Sequence, residues 1–271
     1  MIQTRLTSTV EASLANAAFG TSPDTWPLPA ATTARQLWLR AVAAGGQGRY
    51  GSAHSDLAQL RRQVRAGTGS QAPLASLAHS TQASFLRQLG WHALARGWDG
   101  RALALAGTDR EARADALVGL AADALGVGRF AAAATLLTRA DADELTDRLA
   151  VRRRWVGAEL AMATGAGTTA VGYAEEAVEL ARPLASARHR VKSDVVLAAA
   201  LCSAGAVERA RAVGEDALRA SGELGLIPLR WAVSCLLIDI GSVTISTHQV
   251  GEIRDICAGQ VRRAGGTWRS A

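Results

Sequence analysis

Two stretches carry the residue types and spacing of a phosphate-binding loop: GGQGRYGSA (Gly45 to Ala53) and GVGRFAAAA (Gly126 to Ala134). Both fit G-x-G-x-x-G/A, whose glycines let the backbone approach a pyrophosphate seated on a helix N-terminus. That chemistry requires a β-strand before the loop, a helix after it and an acidic residue about 20 positions further on. The residues before Gly126 (ADALVGLAADAL) and before Gly46 (ARQLWLRAVAA) instead have helical spacing. The same turn returns without its first glycine at Gly90, Gly165 and Gly205. The glycines are therefore read as structural, and no cofactor is expected.

Other reactive groups do not assemble into a site. His54, His79, His92, His189 and His248 form no H-x-x-x-H pair, and no G-x-S-x-G is present. Cys202, Cys235 and Cys257 form no C-x-x-C, which argues against a zinc site or a disulfide framework and for a reduced, cytoplasmic setting. Glu175, Glu176 and Glu179 read as a solvated helix face paired with nearby arginines. A non-enzyme holding no metal is expected.

The elements that would position these residues are helical. Of 271 residues 49% are hydrophobic but only 4% aromatic, so the interior is built from Ala, Leu and Val, which suits closely packed helices. The net charge of +6 is carried almost wholly by arginine, Lys192 being the only lysine, a bias attributed to a high-G+C genome. The longest apolar run, Val195 to Val207, falls short of the roughly 18 residues of a membrane span. The first twenty residues lack a signal-peptide core. Residues 1–19 predict an amphipathic helix with Leu6, Val10, Leu14 and Ala18 on one face. A linker holding three of the six prolines follows.

From Thr33 onward the pattern repeats. Aligned on Gly48, Gly90, Gly128, Gly165, Gly205 and Gly241, the steps are 42, 38, 37, 40 and 36 residues. Seven positions earlier stand Ala41, Ala83, Ala121, Ala158, Ala198 and Ser234; five later stand Ala53, Ala95, Ala133, Ala170, Ala210 and Ser246. Twelve later come Leu60, Ala102, Ala140, Ala177, Ala217 and Ile253. Each unit predicts a helix, a left-handed glycine turn and a second helix, with small residues where the two backbones cross. Tyr50 and Phe130 are expected to pack beneath the following helix. After Gly241 a longer β-branched connection and a helix over 248–264 predict a capping unit.

The segments Gly128–Arg129–Phe130 with Ala133, and Gly48–Arg49–Tyr50 with Ala53, resemble the turn of the tetratricopeptide repeat family. The resemblance covers residues 33–264, with units longer than the family's usual ones. It implies an all-α, right-handed α-solenoid of about six antiparallel helix pairs. Residues 1–32 would form an N-terminal helix and Pro-rich linker, and 265–271 a tail. It further implies that the first helix of each pair lines a concave groove for a protein or peptide.

The face expected to line that groove takes offsets 13, 10, 6 and 3 before each glycine. From that face, which also holds Asp115, the candidate binding residues are Arg35, Trp38, Ser80, Ser84, Arg87, Arg152, Trp155, Glu159, Lys192 and Trp231. Trp38, Trp155 and Trp231 share one column, and tryptophan with arginine are common interface anchors; the other reading packs these tryptophans between units. Asn16 is the only asparagine and lies outside the array, so the Lys/Arg/Asn carboxylate clamp of some tetratricopeptide modules has no counterpart. The alternatives are a nucleic-acid-binding array, suggested by the pI of about 10.2, and the sensor half of a peptide-responsive transcriptional regulator.

Overall fold

The structure, a computed structural model, describes residues 2–66, 71–141 and 145–269; the predicted tail residues Ser270 and Ala271 and the side chain of Leu6 fall outside what it describes. The described residues form thirteen α-helices and no strand. They are α1 (Ile2–Phe19), α2 (Ala34–Gly46), α3 (Tyr50–Ala66), α4 (Ala72–Gln88), α5 (His92–Ala106), α6 (Arg110–Gly126) and α7 (Phe130–Ala140). Next come α8 (Asp147–Ala163), α9 (Gly167–Ala181), α10 (Ala187–Ser203), α11 (Val207–Glu223), α12 (Ile227–Ile240) and α13 (Thr247–Arg263). From α2 onward each even-numbered helix packs on the odd-numbered helix that follows it, and the even-numbered helices also stack on one another in sequence. This consecutive pairing is that of a helical solenoid.

All six register glycines have positive φ, between 75° and 88°. At Gly48, Gly90, Gly128, Gly165 and Gly205 the glycine N–H donates three residues back, and the next N–H donates five residues back, as from Arg49 to Ala44 O at 2.9 Å and from Ala206 to Leu201 O at 2.9 Å. These two bonds satisfy carbonyls that a helix end would otherwise leave orphaned. Helix α2 starts on a full capping box, Thr33 with Gln36.

The small-residue columns fall at the helix crossings. Ala41, Ala83, Ala121, Ala158, Ala198 and Ser234 have no accessible surface, nor do Ala53, Ala95, Ala133, Ala170 and Ala210. The α12–α13 pair departs from this: Ser246 is exposed as the N-cap of α13 and Ile253 is only half-buried. Val250 and Cys257, each four residues later than the repeat would place them, are buried in their stead. The β-branched connection adds those residues. It is held by Glu215, whose Oε1 accepts from Ser242 Oγ at 2.5 Å and Val243 N at 2.6 Å, while Oε2 accepts from Thr244 Oγ1 at 2.8 Å.

The aromatic residues of the two best-matched turns differ in environment. Tyr50 is fully buried, and Phe130 is 37% exposed. The difference arises where the residues after α13 return: Gly51 N donates to Ala264 O at 2.8 Å, Gly266 lies against the Tyr50 ring, and Val261 shares its hydrophobic core, whereas Phe130 belongs to no such cluster among the described residues. The C-terminal residues thus return to the first pairs. Arg269 N donates to Leu89 O at 2.9 Å, Trp91 Nε1 to Thr267 O at 2.7 Å, and Val261 and Trp268 join the hydrophobic core around α1–α3. Helix α1 packs on α2 and touches α10, with Ala187 N bonded to Gly20 O at 3.0 Å. The two ends of the array meet.

A Cβ at Gly128 would meet open space, so Gly128→Ala suffers only from its left-handed backbone and is expected to lose about 1–2 kcal/mol. Gly172, inside α9, is equally open but helical, and Gly172→Ala should gain about 0.5–1 kcal/mol. Urea unfolding of both variants reads the sign of each; a neutral Gly128→Ala would show that the turn does not depend on glycine.

Candidate functional site

The even-numbered helices from α2 to α12, with Phe19 of α1 and His92 at the start of α5, line a half-open cavity of about 380 Å³. Nine of the ten candidate residues chosen from the sequence-derived face line it: Trp38, Ser80, Ser84, Arg87, Arg152, Trp155, Glu159, Lys192 and Trp231. Arg35 does not. It stands at the first turn of α2, largely exposed, paired to Glu11 of α1 at 2.7 Å. Helix α1 covers that end of α2, a packing no offset rule anticipates.

The tryptophans do both things weighed from the sequence. Trp38 Nε1 donates to Thr81 Oγ1 of α4 at 3.0 Å, and Trp155 Nε1 donates to Ser193 Oγ of α10 at 2.9 Å. Each indole thereby bridges neighbouring first helices while one of its faces borders the cavity. Trp155 stacks on His189 (centroids 5.3 Å apart), Trp38 lies against Phe19 (5.5 Å), and Trp231 stacks on Trp268 from the C-terminal end (4.1 Å).

No protein-family model matches the chain, and no curated protein is significantly similar to it. The chemistry of the cavity is therefore read from its own side chains.

Its charges are organised as cross-helix pairs. Arg87 of α4 reaches Asp99 of α5 and, at 2.9 Å, Asp123 of α6; both carboxyls are inaccessible to solvent. Gly119 makes room for this triad, since a Cβ there would collide with the Asp99 carboxyl. Burial raises the Asp99 pKa to about 8 against the pull of Arg87, and Asp123, also raised by burial, is hydrogen-bonded to Asp99. One cation thus faces two carboxyls that hold a proton between them.

On α8, Arg148 pairs with Glu111 (3.1 Å) and Asp115 (3.4 Å), and Arg152 pairs with Asp115. Burial would raise Asp115, but Arg152 and Arg148 prevail and hold it below the usual carboxylate range. Lys192 of α10 meets Glu159 of α8 at 3.3 Å and lies 5.8 Å from the Trp155 ring centroid. Burial drives His189 well below the usual imidazole range, so it is neutral, with Nδ1 2.7 Å from Ser186 Oγ.

Asp115, thirteen residues before Gly128 and so on the same face, lines the cavity too; Arg148, Arg188, His189, His92 and Phe19 also line it, and the face rule did not give them. Two carried a signal: Arg148 and Arg188 stand four residues before Arg152 and Lys192, one helical turn further along the same face. His92 and Phe19 carried none, because they enter from outside the repeated first helices.

Between about pH 4, where a free aspartate titrates, and about pH 8, the folded chain binds a proton at Asp99 that the unfolded chain releases. This group alone makes stability fall as pH rises through that window. Asp99→Asn keeps an uncharged hydrogen-bonding side chain. Urea midpoints at about pH 5 and pH 8 should differ less in the variant than in wild type, and an identical fall in both would rule out the shared proton.

Proposed function

We propose that this protein is a non-catalytic scaffold, regulatory in role, that receives a protein or peptide partner on the inner wall of a tetratricopeptide-like array. In this reading the array is a right-handed solenoid of six helix pairs, α2–α3 to α12–α13, and the partner inserts a segment among the first helices. The observation that carries it is the convergence of Trp38, Trp155 and Trp231 with Arg87, Arg152 and Lys192 on one cavity. Its volume of about 380 Å³ lies within the roughly 300–1,000 Å³ of small-molecule and side-chain pockets. Rigid aromatic walls with a few fixed charges give affinity at low entropic cost. The acids of the wall, Asp115 and Glu159, are each held by a cation, which suits them to fixing geometry rather than to moving protons. The same pairing disfavours a nucleic acid as occupant, because the wall's arginines are largely neutralised.

Ala122 is half-buried at the cavity wall, so Ala122→Phe takes up cavity space while leaving every ion-paired residue in place. Peptides selected from a displayed random library against wild type should bind this variant at least about tenfold more weakly. They should bind Arg62→Ala, changed on the exposed side of α3, as well as wild type. Selected peptides indifferent to Ala122→Phe would place the partner elsewhere.

A further inference from the structure

The charges of the cavity leave one cation over. Lys192 is matched by Glu159, Arg148 and Arg152 by Glu111 and Asp115, and Arg87 by Asp123 with Asp99 protonated. Arg188 has no carboxylate partner among the described residues. Its side chain crosses from α10 to the C-terminal end of α2, where Nη1 donates to Val42 O at 3.3 Å. Gly46 keeps that path open, since a Cβ there would stand 3.1 Å from Nη1 and 3.2 Å from Cδ. Helix carbonyls supply only a fraction of a counter-charge, and a buried cation without a full one is costly. Burial, with Arg152 and Arg148 nearby, lowers the Arg188 pKa to about 10, so it remains charged at neutral pH.

Two further polar atoms at the cavity have no partner among the described residues. Ser80 Oγ, on a residue 2% exposed, and His92 Nδ1 are both buried, and both residues line this cavity. Beside Arg188 stand apolar surfaces: the Phe19 ring centroid lies 5.8 Å from its guanidinium carbon, and Trp155 stacks on the adjacent His189. The unmet requirements are one negative charge, hydrogen-bonding groups and a flat apolar body. A single surplus cation calls for a monoanion, and a guanidinium fork matches the two oxygens of a carboxylate.

We propose that the cavity binds the carboxylate of an aromatic acid, with Arg188 as its receptor and the Phe19–Trp155 wall taking the ring. This rests on the inner-wall reading above and specifies the chemistry of the occupant. The carboxylate can belong to a free small acid or to an acidic side chain beside an aromatic one in a peptide.

Calorimetric titration with matched probes tests this and separates the two sources. One pair is 3-phenylpropionate and 3-phenylpropionamide. The other is a C-terminally amidated hexapeptide containing Glu-Phe and its Gln-Phe counterpart. In wild type at least one acid form should bind about tenfold or more tighter than its amide, and Arg188→Gln should erase that preference. A preference confined to the free acid identifies a small-molecule ligand; one confined to the peptide identifies a peptide side chain. Equal binding of acid and amide to wild type overturns the proposal without recourse to any variant, as does a preference that survives Arg188→Gln. Arg188→Gln removes an unmatched buried charge, so its melting temperature should be no lower than that of wild type. Ala122→Phe separates the two layers of the reading. If acid and amide alike ignore it, the inner-wall site itself fails; if both respond but do not differ, only the carboxylate assignment fails.

Discussion

The left-handed glycine at the turn of each helix pair is the constraint on which the rest of the structure depends. It reverses the chain within three residues while two backbone bonds satisfy the end of the first helix. Because the reversal is the same at five successive turns, every first helix falls on the same side of its partner. Their like-numbered faces then point to one interior. Where the turn is longer, after Gly241, the buried positions move four residues along and a separate device, Glu215 gripping the connection, is needed.

The crossings between helices are filled by alanine, which permits close approach but contributes little specificity. Specific contact between neighbouring first helices comes from polar groups. Arg87 ties α4 to α5 and α6, Arg148 and Arg152 tie α8 to α6, and Lys192 ties α10 to α8. The indole N–H groups of Trp38 and Trp155 make two further ties. Buried ion pairs add little net stability, since desolvation offsets most of their attraction. Their effect is to fix the register of one inner helix on the next, and with it the shape of the cavity.

Helical class, the punctuating glycines, the buried columns and nine of the ten candidate inner-face residues were legible in the sequence, because each follows from local rules: a period of 3.6 residues, a φ open to glycine, and the crowding at a helix crossing. The tertiary structure decided what lies between elements far apart in the chain. The return of Val261, Gly266 and Trp268 to Tyr50 and Trp91 buries one turn aromatic and leaves Phe130 exposed. Helix α1 takes Arg35 out of the wall, and its Phe19 enters it. The inward path of Arg188 to the carbonyl end of α2, without a carboxylate, likewise joins helices far apart in the chain. Those contacts join residues far apart in the chain, 176 positions for Trp91 with Thr267 and more for Gly51 with Ala264. Periodicity fixes which face a side chain occupies on its own helix; only the summed curvature of the whole stack fixes what that face meets.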